Sequence, residues 1–564
     1  MLKRTLATAM IFAIAPLGAV SKAIAVSAQT QTAPQTFREW CLEKSNQTPQ
    51  VQRTIDTLLQ KAGTQDCTQA DRTLTAQTAL DLTNNYLTDL RPLASLTQLT
   101  SLNLAGNLVT DLRPLASLTR LTSLDLSSNY SQNVDAGTFQ LTDFSPLASL
   151  KQLTSLNLSR NQIRSLSSLP SLKQLTSLNL STNQITDLKP LASLTGLTSL
   201  DLSSNYYQSY DTDAKSERIT DLSPLASLKQ LTSLNLSYTQ ITNLSPLVSL
   251  TQLTKLDLMG NREIDFKSLP TLPNLTTLNL RASEIRNLRP LASLPKLSEL
   301  NLGDCGITDL STLPTLPNLK TLDLSGNPLS NIQALAAQTG LVNLNLTSPY
   351  NDANPSSTLP QLRDISSLSK LKRLTTLDLS KNYQVSDLRP LSGLTNLTIL
   401  TISDTKVANL EPLSNLSALT SLTLSRNKIS NLYFLSKLTR LTDLSLQSNQ
   451  IQDIKSLGGL RNLKRLNLSY NRISNLKSLS SLTSLNELDL TYNQITDLRP
   501  LSQLTNLTVL NLVNNKITSF EALSPLKNLQ KLVIWNNPGK LTGCPVQLKP
   551  GAICELEEFL PPPS

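Results

Sequence analysis

From residue 77 to about 540, apolar positions return with a period of 22, as in Leu153-Thr-Ser-Leu-Asn-Leu-Ser-Arg-Asn161-Gln-Ile and, one period on, Leu175-Thr-Ser-Leu-Asn-Leu-Ser-Thr-Asn183-Gln-Ile. Twenty copies follow the pattern LxxLxLxxNxIxxLxxLxxLxx. The LxL part alternates with period 2 and predicts a short strand. Segments such as Asp111-Leu-Arg-Pro114-Leu-Ala-Ser-Leu118 put proline where its fixed φ can open a helical turn. No copy can bury its apolar face alone, so the copies must stack into a solenoid, with parallel strands on the concave face and turns on the convex one. Twenty strands at about 4.8 Å spacing predict an arc of roughly 95 Å.

The ninth position of each copy is Asn in fifteen of twenty, among them Asn107, Asn161, Asn183, Asn427 and Asn493. A buried chain bend leaves N–H and C=O groups unpaired, and a short amide answers both, which predicts a structural ladder. Thr239, Ser283, Cys305 and Thr405 hold the same place with groups that can still donate. Pro349 cannot, so the ladder is expected to break there.

Copies such as Ile185-Thr-Asp-Leu-Lys-Pro-Leu-Ala-Ser-Leu-Thr-Gly-Leu-Thr-Ser-Leu-Asp-Leu-Ser resemble the 22-residue repeats of the bacterial internalin-type leucine-rich-repeat proteins, and the resemblance covers about four-fifths of the chain. It implies an α/β solenoid, a leucine-rich-repeat horseshoe with parallel strands on the concave face, used by surface-exposed binders.

Both ends of such a stack need covers. Val51-Gln-Arg-Thr-Ile55-Asp-Thr-Leu58-Leu59-Gln-Lys-Ala-Gly63 reads as an amphipathic helix with a glycine stop, flanked by Cys41 and Cys67. Beyond Leu532-Val-Ile-Trp535 the pattern dissolves into a segment holding Cys544 and Cys554. In an exported chain these two local pairs read as disulfides stapling a helical N-terminal cap and a C-terminal cap, leaving Cys305 as a buried thiol. Export is suggested by Lys3 and Arg4, an apolar stretch from Leu6 to Val20 and small-residue sites ending at Ala25 and Ala28. The organisation read from sequence is therefore a signal peptide over 1–28, a cap over 29–76, repeats over 77–540, and a cap and tail over 541–564. The expected location is secreted, periplasmic or cell-surface, without a membrane span after cleavage.

Composition narrows the function. The chain has no histidine, which removes Ser-His-Asp and Cys-His catalysis, histidine metal sites and imidazole switches. Its formal charge of +10 is scattered singly, without a basic run or interleaved aromatics, so no nucleic-acid partner is expected. Asp211-Thr-Asp-Ala-Lys-Ser-Glu217 has the outline of a calcium loop, but Lys215 and Ser216 stand where an oxygen ligand and a glycine are needed; no metal or cofactor is expected.

Most concave positions are small and polar, as in Ser155-Asn157-Ser159. That background changes at Lys255, Asp257, Met259, Arg281 and Glu299, and again at Val509, Val513, Val533 and Trp535, residue types enriched in binding hot spots. For the last group, packing under the cap is the competing expectation. Three copies are enlarged just after the ladder position, by 10, 12 and 11 residues, and equal phase puts all three on one rim. The first two carry Tyr130 and Tyr206, Tyr207 and Tyr210, and Tyr86, Tyr238, Tyr383, Tyr470 and Tyr492 flank ladder positions on that rim. The expectation is a non-enzymatic binder of a macromolecule, in the first place a protein, through concave face and tyrosine rim. A glycan or envelope ligand is the alternative, and a cytosolic scaffold of the phosphatase-regulator kind applies if the signal is unused.

Overall fold

The computed structural model describes residues 35–129, 141, 143–207, 217–349, 361–539 and 543–556. The signal segment, Tyr130, Tyr210 and the calcium-like loop lie outside the described residues.

The first leucine of each LxL is the buried centre of a three-residue strand, and twenty such strands with one cap strand form one open, curved parallel sheet. Twenty belong to the copies, from Ala79–Asp81 to Lys531–Val533. Leucine faces leucine from copy to copy, as in Leu156, Leu178 and Leu200. The register continues across the enlarged copies, where Asp125 pairs with Asn157, Asp201 with Asn235 and Asn345 with Asp378. Length is therefore added outside the sheet. On the convex side, the proline-bearing segments close into 3-10 turns such as Arg113–Ser117 and Lys189–Ser193, whose leucines complete one continuous core.

The polar letters of the repeat are mostly backbone partners. Asn183 Oδ1 accepts from the N–H groups of Asn161 and Ile163, both at 3.0 Å, and its Nδ2 donates to the carbonyls of Leu158 and Leu180 at 3.0 and 2.9 Å. The threonine after the first leucine forms a second ladder: Thr176 Oγ1 donates to Thr154 O and Thr198 Oγ1 to Thr176 O. Where an Asn or Asp ends a strand, its side chain accepts from the N–H two residues on, as Asn157 does for Ser159 and Asn179 for Ser181.

The exceptions in the asparagine ladder behave as their chemistry dictates. Ser283 Oγ and Cys305 Sγ donate to the carbonyls of Leu258 and Leu280, the bond an asparagine Nδ2 would make. Thr239 donates to Leu236 O and Thr405 to Asn427 Oδ1. At Pro349 the ladder breaks as expected. Leu329, whose N–H should reach the side chain of the next copy, turns back to Asn327 O at 2.8 Å.

The N-terminal cap holds three helices, α1 (Phe37–Leu42), α2 (Pro49–Ala62) and α3 (Cys67–Ala76). α2 is the helix read from sequence; Thr48 caps it, Pro49 occupies its first turn, and Gly63, at φ 69°, ends it. The two flanking helices were not anticipated. Thr36 and Glu39 form a capping box at α1, and Asp66 caps α3. Cys41 of α1 is bonded to Cys67 of α3. At the other end, Cys544 is bonded to Cys554, which lies in a twenty-first strand, Ile553–Glu555, added in parallel to Lys531–Val533. Cys305 is free and buried, and burial pushes its thiol pKa up. Among the described residues no helix is long and apolar enough to cross a membrane.

Candidate functional site

The residue before each ladder position, Ser348 before Pro349 excepted, turns the chain out of the strand in the left-handed region. Tyr238, Asp304, Lys381, Asp404, Arg426, Tyr470 and Tyr492 all sit there with φ between 50° and 62°. Their side chains lean onto the same position of an adjacent copy and make a third ladder along the rim. Tyr238 lies over Gly260, where an added Cβ would be 2.4 Å from the ring. Arg426 pairs with Asp404. Tyr470 and Tyr492 stack, with centroids 4.5 Å apart and planes 15° from parallel.

That stack borders a trough of about 810 Å³ on the concave face at the C-terminal end of the sheet. One wall is the row Asp443, Arg465, Glu487, Val509 and Lys531, the outermost residues of five successive strands in register. The opposite wall is Thr491, Val513 and Trp535 with the two tyrosines, and Glu555 of the cap strand closes the end. Arg465 is paired with Asp443, and Lys531 with Glu555 at 2.9 Å. Among the described residues neither Glu487 nor Asp489 has a cation within ion-pair distance. Asp489 Oδ1 accepts from the N–H of Thr491 at 2.9 Å. Thr491 is 8% exposed, and its hydroxyl has no hydrogen-bond partner. Val513 and Val533 are buried, and Val533 stands opposite Glu555 of the cap strand. Val509 and Trp535 remain partly exposed and line the trough.

The central candidates lie apart from this place. Lys255 and Glu487 are ten copies apart, roughly 48 Å by strand spacing. Arg281 is held by Asp304 at 2.6 Å, and Asp257 is occupied by the N–H of Met259 and by Asn279 Nδ2. Lys255 is exposed and Met259 half-buried. On the rim, Tyr206–Tyr207 pairs antiparallel with Glu217–Arg218, so the second enlarged copy starts as a hairpin. Arg218 then reaches Glu263, two copies on, at 2.7 Å.

Glu487 and Asp489 escaped the sequence reading, which placed Tyr470 and Tyr492 on the rim but did not stack them. The signal for the charged pair was present in the first strand residue of each copy, the one just before the second leucine of the LxxL. It is Ser in most early copies and becomes Asp443, Arg465, Glu487, Val509 and Lys531 in the last five. Among the described residues no three Cys, Asp or Glu side chains gather in a way that could hold a metal ion.

An open parallel sheet with a broad concave face, turns behind it and caps at both ends defines a leucine-rich-repeat solenoid, the scaffold class typical of protein-binding proteins. Family models agree. Leucine Rich repeats (2 copies) match residues 78–117, 97–137, 173–227, 229–273, 273–315, 372–415, 461–503 and 505–542; a Leucine rich repeat model matches 119–185, and a Leucine Rich Repeat model matches 318–336. Internalin C2 of Listeria monocytogenes is 35% identical over 36% of this chain and 81% of its own, with a TM-score of 0.31. An internalin, InlF, of the same organism is 23% identical over 85% of this chain and 93% of its own, with a TM-score of 0.25. The plant peptide hormone receptor RGFR1, solved in complex with RGF2, is 21% identical over 82% of this chain and 78% of its own, with a TM-score of 0.50. A search of curated proteins returns no match. The chain belongs to the leucine-rich-repeat family.

Proposed function

We propose that this is an exported, non-enzymatic leucine-rich-repeat protein that binds a protein partner through its concave face, with the C-terminal trough as the principal contact and the tyrosine-bearing rim beside it. The observation that carries this reading is the contrast along the concave face. In the early copies its polar groups are occupied by their own backbone, as at Asn157 and Asn179. In the last five it turns into a trough with an aromatic wall and uncompensated charge. Two disulfides fit an oxidising compartment.

Capture on immobilised mature chain tests the reading. Wild-type protein should retain a protease-sensitive partner, and Val509→Arg, which fills the trough without touching the buried leucines, should weaken retention at least tenfold, about 1.4 kcal/mol. Replacing 206–218 by the short connection that follows Asn183 measures the rim contribution with the sheet intact. Unchanged retention in both variants refutes the reading. A second reading, glycan binding, is favoured by the stacked Tyr470 and Tyr492, because flat aromatic platforms suit sugar rings. Retained material resistant to protease and sensitive to glycosidase would establish it.

A further inference from the structure

Resting on the reading of the trough as a protein-binding site, we infer that it takes an extended, basic segment of the partner, with a Lys or Arg side chain seated between the Glu487/Asp489 pair and the Tyr470–Tyr492 stack. The trough runs from Thr423 to Glu555 across seven strands. Six steps of about 4.8 Å make it roughly 29 Å long, the span of about nine extended residues.

Charge decides the class of occupant. Six ionised side chains line the trough, four acidic and two basic. Both basic groups are already paired, Arg465 with Asp443 and Lys531 with Glu555. Glu487 and Asp489 are left; being two residues apart on one strand, they share its concave face. The local excess is thus negative on a chain whose formal charge is +10, and a polycation is drawn to this place while the remaining surface repels it.

Two further features suit the same occupant. The exposed faces of Tyr470 and Tyr492 attract a guanidinium or ammonium group laid over them. The Thr491 hydroxyl, buried in the same wall and without a partner, gains one if its side chain rotates toward the trough and meets a backbone N–H or carbonyl of the occupant. A neutral glycan would leave the two carboxylates uncompensated, and an anionic one would be repelled by them.

The test uses labelled nona-arginine as probe, with nona-glutamate and chitohexaose beside it, on the full mature chain by fluorescence anisotropy. Nona-arginine should bind, more weakly as salt rises. Glu487→Gln/Asp489→Asn should weaken it at least tenfold, and Tyr470→Ala/Tyr492→Ala severalfold. Glu411→Gln/Glu521→Gln, the same charge change on exposed convex turns, should leave it unchanged. Thermal unfolding of each variant shows whether the fold is kept. Equal loss in the convex variant, no loss in the trough variant, no binding of nona-arginine, or preferential binding of nona-glutamate or chitohexaose each overturns the inference. Partner capture separates the two levels. If Val509→Arg abolishes capture while nona-arginine fails to bind, the protein-binding reading stands and the basic-segment inference falls. If nona-arginine binds as expected and capture ignores the trough, the function reading falls.

Discussion

Replacing Asn183 by alanine removes the side chain on which two neighbouring copies close, and the consequences can be counted bond by bond. The amide accepts from the N–H groups of Asn161 and Ile163 and donates to the carbonyls of Leu158 and Leu180. The two carbonyls are insured: Leu158 O also accepts from Asn161 Nδ2, and Leu180 O from Asn205 Nδ2. Among the described residues the two N–H groups have no other acceptor, and Asn183 is 4% exposed, so the truncation leaves both donors in a buried gap. An orphaned buried donor costs about 1–3 kcal/mol, which puts Asn183→Ala at about 2–6 kcal/mol, far above an ordinary surface change.

Two variants separate the halves of the amide. Asn183→Ser keeps a donor, as Ser283 does naturally, but loses the reach of the acceptor; Asn183→Asp keeps the acceptor and sets a carboxylate against carbonyls. A solenoid of this length need not unfold in one step, so the assay is amide hydrogen exchange read by mass spectrometry beside urea unfolding. Asn161 and Ile163 should lose protection in both Asn183→Ala and Asn183→Ser, while the amides of the copies around Asn427 keep theirs. Ser177→Ala, on the half-exposed concave face of the same copy, should change stability by less than about 0.5 kcal/mol. If Asn183→Ala is equally mild and both amides stay protected, the ladder is not what holds the bend.

Three other substitutions test other parts of the stack. Cys305→Ser should be close to neutral in urea unfolding, because Ser283 makes the same bond one copy earlier, and native Cys305 should react with iodoacetamide only after unfolding, since burial disfavours its thiolate. Gly260→Ala should destabilise by about 1 kcal/mol or more, since its φ of 74° strains any Cβ and the Tyr238 ring stands in the way; Gly306→Ala, at φ 70° with open space, measures the strain alone, and equal costs would remove the ring from the account. Asp111, Asp387 and Asp497 have carboxyl pKa values below the ordinary range, first because Arg113, Arg389 and Arg499 hydrogen-bond to them. Their contribution to stability is complete above the unfolded carboxylate pKa, about 3.9, and is lost as pH falls through the lowered native values. Arg499→Ala should raise the Asp497 carboxyl pKa measured by NMR, and an unchanged titration would contradict the pairing.

The solenoid was legible because its causes are local and repeated: LxL makes a strand in all twenty copies, proline opens many of the turns, and asparagine closes the bend in fifteen, so one correct reading of one copy extends along the chain. What stayed hidden depends on neighbours. The cap strand Ile553–Glu555 alternates too briefly to announce itself and exists because Lys531–Val533 offers it an edge. α1 is six residues long and depends on a capping box visible as Thr36-Phe-Arg-Glu39, a signal that goes unnoticed when periodicity is the guide. The concave Asn and Asp residues look like a free polar surface, but the bend after each strand turns the N–H two residues ahead onto the side chain, and the register adds cross-strand contacts such as Asn157 Nδ2 to Asp125. The same register gives the trough its meaning. Tyr470 and Tyr492 are 22 residues apart and touch because every copy returns to the same phase, and Glu487 and Asp489 lack a cation because Arg465 turns to the strand before them and Lys531 to the cap strand after them. A repeat hides function by making every copy look alike; the site is found where one phase position, followed from copy to copy, stops being serine.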